Sequence, residues 1–213
     1  MKKVLSGILT VLAVTACAAF AAPEPAIVPA PGEWTVEVVF ERPQQISIRQ
    51  GGEHGRPQRF WYVIVTLTNN TGRDVEFYPK CEMMTDTFEL LDAVNGASPA
   101  LIGRIKARHQ QKYPFIEPME TVGNKILEGK DNAKEVAVIF ADFDPQAKGV
   151  KIFITGLSNE TAVVEHPVKK DANGEPVKVY LRKTLELSYK LGGDASFRAE
   201  QKLEFEGRQW VMR

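Results

Sequence analysis

Cysteine is nearly absent from this chain, with Cys17 and Cys81 alone among 213 residues. Cys17 falls in an N-terminal segment with the features of an export signal, so Cys81 is left without an intramolecular partner in the mature protein. A disulfide framework is thereby excluded, and the fold must be held by its core. Histidine is almost as scarce. His54, His109 and His166 stand far apart, and no pair has metal-ligand spacing. Net charge is also missing: 27 basic residues balance 27 acidic ones. A general nucleic-acid binder would show a basic excess, so no nucleic-acid partner is expected. No serine lies in a G-x-S-x-G or S-x-x-K setting. Walker-type and G-x-G-x-x-G loops are lacking too. The sequence therefore predicts no catalysis and no cofactor.

A long apolar run is missing as well. Val4–Val14 is shorter than the roughly 20 residues that span a bilayer. It follows Lys2 and Lys3 and precedes Ala16, Ala18, Ala19, Ala21 and Ala22. Residues 1–22 thus read as an export signal. Ala19-Phe20-Ala21 is an A-x-A cleavage site, which predicts a periplasmic or secreted protein. Val14-Thr15-Ala16-Cys17 resembles a lipobox, and the alternative is a lipoprotein anchored at Cys17. Membrane contact is expected only through that anchor. Residues 23–33 are rich in proline and alanine and read as an extended tether. Residues 34–213 then form one domain, with 158–213 as its C-terminal extension.

What is present is mostly strand. Trp34, Val36, Val38 and Phe40 alternate with Thr35, Glu37, Val39 and Glu41. Residues 60–68 (FWYVIVTLT) are apolar on both faces and predict a central strand covered on both sides. Residues 83–94 read as continuously extended. Ser98-Pro99 suits the cap and first turn of the one helix, which ends near Gln111. Residues 113–124 read as an irregular extended loop. Thr161–Val168 and Val177–Leu191 flank Asn173-Gly174 and predict a long closing hairpin. In its second arm the odd positions are apolar, and Lys183 alone breaks that face. About nine strands with one short helix insertion predict an all-β, antiparallel sandwich.

Thr66-Leu67-Thr68-Asn69-Asn70-Thr71-Gly72-Arg73-Asp74-Val75 resembles a strand–turn–strand motif. That motif occurs in the immunoglobulin-like β-sandwich domains of exported, largely uncharacterised bacterial proteins. Ile126–Lys130 followed by Lys134–Phe140 resembles the second half of the same pattern. The resemblance spans roughly residues 34–157. It implies an immunoglobulin-like sandwich and carries over no catalytic residue.

Three function classes follow. The first is a non-catalytic binding or accessory module that presents loops and edge strands to a protein or cell-envelope partner. Its expected contact surface is Arg104, Arg108, Tyr113, Phe115 and Met119, because long loops on a rigid scaffold carry function. The second is a copper(I)-handling protein using Cys81, Met83 and Met84, since soft sulfur ligands select that ion. The third is an enzyme with a dispersed loop site around His109 or Glu117.

Overall fold

The computed structural model describes residues 22–49, 55–194 and 197–213. Residues 1–21, where the export signal is expected, lie outside the described residues with Cys17 among them, and so does His54. Thirteen strands are described. In chain order they begin with β1 (Glu37–Phe40), β2 (Gln44–Arg49), β3 (Pro57–Thr68), β4 (Val75–Glu76), β5 (Lys80–Thr85) and β6 (Leu90–Asp92). Helix α1 (Pro99–His109) comes next, then β7 (Glu117–Pro118), β8 (Lys125–Ile126) and β9 (Lys134–Ala141). The chain closes with β10 (Gly149–Thr155), β11 (Thr161–Lys170), β12 (Pro176–Gly192) and β13 (Lys202–Met212). Strands β4, β6, β7 and β8 have only two or three residues each, too short for alternation to mark them.

The first sheet runs β1/β2–β3–β9–β7. Strands β1 and β2 lie end to end along one edge of β3, with Phe40 opposite Val65 and Gln44 opposite Tyr62. Three residues (Glu41, Arg42, Pro43) therefore face two on β3. Such a bulge bends the edge outward, and Pro43 has no N–H to offer the ladder. The second sheet runs β6–β5–β10–β12–β13, and β11 continues along the β10 side of β12. Strand β7 pairs in parallel with β9, while the other pairs are antiparallel.

The two sheets face each other across one core. Odd residues of β3 (Trp61, Val63, Val65, Leu67) and Val136, Val138 and Phe140 meet Cys81, Met83, Ile152, Ile154, Leu185 and Leu187. Even residues of β3 (Phe60, Tyr62, Ile64) point the other way and bury against Leu101 and Ile105 of α1, Tyr113 and Ile116. The double-sided burial expected for residues 60–68 is thus met by a sheet on one side and a helix on the other. In α1, Ser98 accepts from the Leu101 N–H at 3.3 Å, the capping geometry its sequence predicts.

Several local readings are corrected. Residues 83–94 are not continuous strand, because β5 and β6 form a hairpin closed by Thr85–Glu89. That turn has no glycine; Phe88 takes the positive φ instead, at 65°. The loop 113–124 carries β7 and a 3₁₀ turn at Met119–Thr121. The stretch 23–33 is tied to the body rather than free. The Ala26 N–H donates to Glu160 at 2.7 Å, and the Gly32 carbonyl accepts from Arg73 and Asn159. Among the described residues no helix is long and apolar enough to cross a membrane.

Candidate functional site

A cleft of about 940 Å³ opens where the β1–β2 bulge, the end of α1 and the segment 199–204 converge. Its walls carry Glu41, Arg42, Gln44, Gln45 and Arg108 on one side and Glu200, Gln201, Lys202 and Glu204 on the other.

The helix reaches the cleft through Arg108, one turn beyond Arg104. Arg104 donates to the Ser47 carbonyl at 2.8 Å, and Arg108 donates to the Gln45 carbonyl at 2.9 Å. Those carbonyls line the edge of β2 away from β3, so the two guanidinium groups cover an edge that lacks a strand partner. Arg108 also donates to the Tyr62 hydroxyl at 3.2 Å, and that hydroxyl lies 2.8 Å from His109 Nε2 and 3.1 Å from Gln44 Oε1. One turn further on, Lys112 and the Tyr113 hydroxyl both donate to the Glu41 carboxylate.

These contacts set the charges at the rim. Hydrogen bonds from Lys112 and Tyr113 hold the Glu41 carboxyl below its ordinary value, so it stays anionic. Burial, with Arg108 close by, pushes His109 down and favours its neutral form. Burial raises the Tyr62 hydroxyl and outweighs Arg108. A neutral imidazole between two tyrosines completes a packed wall: its ring centroid lies 5.7 Å from Tyr62 and 6.4 Å from Tyr113.

The opposite wall is held by Arg198. Its guanidinium donates to Asp142 and to the Phe143 carbonyl at 3.0 Å each, and to Gln201 at 2.9 Å. It also lies 4.3 Å from the Phe143 ring centroid. Asp142 further accepts from Trp61 Nε1 at 2.9 Å. Gln45 Nε2 then donates to the carbonyls of Arg198 and Gln201 at 3.0 and 2.6 Å. The cleft is consequently fixed from behind on both sides before any ligand arrives.

The five residues expected to form one contact surface are divided. Arg104, Arg108 and Tyr113 lie along α1 and the turn after it, each with a hydrogen bond to the first sheet or its β1–β2 bulge, and Arg108 among them lines the cleft. Phe115 is 82% exposed and lines a separate hollow with Leu127 and Lys134. Met119 packs partly against the inter-sheet core and lines a third cavity with Phe77 and Cys81. Sequence reasoning passed over Arg42, Gln45, Arg198 and Lys202, which sit on segments far apart in the chain. Only Pro43 and the charges of Glu41 and Arg42 mark a break in the edge.

The sulfur residues are split too. Cys81 and Met83 point into the core, and Met84 lies half-buried on the other face of β5. Burial, with Glu82 alongside, pushes the Cys81 thiol up to about 12. Among the described residues no three of His, Cys, Asp and Glu gather as a metal site would require. Glu117 lies 3.9 Å from Lys134, while His109 packs between Tyr62 and Tyr113. Compared with protein-family models, curated proteins and solved structures, the chain matches none.

Proposed function

We propose that this protein is an exported, non-catalytic binding module, an immunoglobulin-like sandwich whose cleft beside α1 receives a polar segment of a protein partner in the cell envelope. The observation that carries this reading is the cleft itself: about 940 Å³, rimmed by Arg42, Arg108 and Lys202 against Glu41, Glu200 and Glu204. Interspersed charge of both signs suits a peptide, whose carbonyls, amides and side chains need donors and acceptors alike. Support from both sheets and from α1 lowers the ordering cost of binding. The networks behind the walls bind the reactive groups to one another: His109 Nε2 is committed to Tyr62, and Glu41 to Lys112 and Tyr113. Copper handling has weaker support, because Cys81 and Met83 face the core and Met84 faces away from them.

A photo-reactive residue at position 42 or 202 tests the reading. In cells exporting the full chain, both positions should cross-link the same envelope protein, and position 106 on the solvent side of α1 should not. Arg42→Glu combined with Lys202→Glu should lower that yield about tenfold, the effect of losing two favourable charges at an interface rim. Equal cross-linking at all three positions, or retention of the chain in the cytosol, overturns the proposal.

A further inference from the structure

None of residues 161–182 is buried. Beyond Lys183 the hairpin of β11 and β12 leaves the sandwich as a two-stranded ribbon. Its one face carries Ala162, Val164, Val177, Val179 and Leu181, all half-exposed. The other carries Val163 and Tyr180, 54% and 68% exposed, among Thr161, Glu165, Lys178 and Arg182. A two-stranded ribbon is marginal in water and gains stability when further strands join it.

Its two long edges differ. The outer edge of β11 is broken by Pro167 and by a register irregularity between Glu165 and Lys170. Proline and bulges are devices that stop a strand from being extended. Strand β12 keeps a continuous register over Lys178–Arg182. Arg182 exchanges N–H···O bonds with Arg213 at 2.8 and 3.1 Å, which shows that even residues of β12 aim their main-chain groups at this edge. Strand β13 ends there. Lys178 and Tyr180 therefore present N–H and C=O groups that pair with no strand among the described residues.

We infer that this edge pairs antiparallel with the same edge of a second copy of the chain, about a two-fold axis at Val179. Charge selects the register. An axis at Lys178 sets the two lysines face to face. An axis at Tyr180 sets Lys178 against Arg182, and like charges directly opposite destabilise a sheet. An axis at Val179 places each Lys178 opposite Tyr180 of the second copy, a cation beside an aromatic ring. It also joins Val177 to Leu181 and Val179 to Val179, so the apolar face continues across four strands. The interface is isologous and closes on itself. Arg213 already holds the edge at Arg182, so overlap is confined to residues 177–181, which keeps the two sandwiches at opposite ends of the joined ribbon. This pairing does not depend on what the cleft binds.

Cysteine cross-linking tests it on the full chain carrying Cys17→Ser. Opposed residues of a non-hydrogen-bonded antiparallel pair stand about 4.5 Å apart at Cα, close enough for a disulfide. Val179→Cys should give a covalent dimer under mild oxidation. Val164→Cys, on the same face but one strand further out, should not. Sedimentation should show the unmodified chain passing from monomer to dimer as concentration rises. Tyr180→Pro removes an edge N–H while sparing the β11 pairing, and should weaken association about tenfold or more. Equal linking at positions 164 and 179 would mean stacked faces and sink the register. A chain that stays monomeric, with no dimer from Val179→Cys, overturns the pairing itself.

Discussion

Lys183 interrupts an otherwise apolar face of β12, and the interruption has a partner. Its ammonium lies 2.7 Å from Glu160 Oε2, with the two side chains only 7% and 8% exposed. It also stands 5.5 Å from the Trp210 ring centroid, and the other oxygen of Glu160 holds the Ala26 N–H. Lys183→Met removes one charge and strands the other in a buried site. Denaturant melts should show a loss of about 3–5 kcal/mol. Adding Glu160→Gln should return most of it, because the stranded charge is gone. The pair also sets an acid limit. Burial pushes the Glu160 carboxyl up, but hydrogen bonds from Lys183 and Ala26 outweigh it and hold the group low. A depressed carboxyl stabilises the fold above the ordinary glutamate range, and that stability fades as pH falls through the range toward the folded value. Melts taken from pH 7 downward should thus show a smaller difference between wild type and the double variant in acid. Gly156 is constrained for another reason. Its φ is +91°, and a Cβ there would stand 2.6 Å from the Tyr78 carbonyl oxygen. Gly156→Ala should destabilise by more than about 1 kcal/mol, since left-handed backbone alone costs an L-residue that much.

Helix α1 and the edge of β2 depend on each other. The helix has one cap, at Ser98, and two arginine contacts to carbonyls that have no strand partner. Ser98→Ala should cost about 1 kcal/mol. Arg108→Ala should cost more than Arg104→Ala, because Arg108 serves both the Gln45 carbonyl and the Tyr62 hydroxyl. Amide exchange in β2 and α1 should quicken together, and the β10–β12 pairing should be unaffected. The extent of α1 and of the central and closing strands was legible in the sequence, because apolar period and caps are local signals. Lys183 was legible as an anomaly, though its partner Glu160 was not, since their pairing depends on how the chain from β10 returns to β12. The Thr85–Glu89 turn was hidden because no glycine or proline marks it. Arg104 and Arg108 stand at i, i+4, so a basic stripe on one face of α1 was visible in the sequence. Its use as a cover for β2 was not, because open carbonyls leave no trace in side-chain pattern. The cleft was the least legible feature, being assembled from the β1–β2 bulge, β3, α1 and a segment some 150 residues further along the chain.

That distance makes the cleft a property of the whole molecule, and Gln45 is where the two sheets meet around it. One amide nitrogen on β2 of the first sheet holds two carbonyls of the segment entering β13 of the second. Elsewhere this seam is supported by Arg208, which donates to the Val38 carbonyl at 3.3 Å, and by the Phe40 and Phe205 rings, 5.5 Å apart. The far end of the sandwich is tied separately, by Trp34 to Asn159 and by Thr35 to Ser158. Losing Gln45 therefore releases the cleft wall and leaves the sandwich closed. Each carbonyl freed forfeits about 1 kcal/mol, so Gln45→Ala should raise the population of the open segment by roughly 5–30-fold. Trypsin reads that opening directly, because Lys202 lies within the segment and is exposed. Cleavage after Lys202 should accelerate by the same factor, while cleavage after Lys178 in the ribbon keeps its rate. If both sites accelerate together, Gln45 supports the fold as a whole. If neither does, Arg198 holds the wall alone through Asp142 and Phe143.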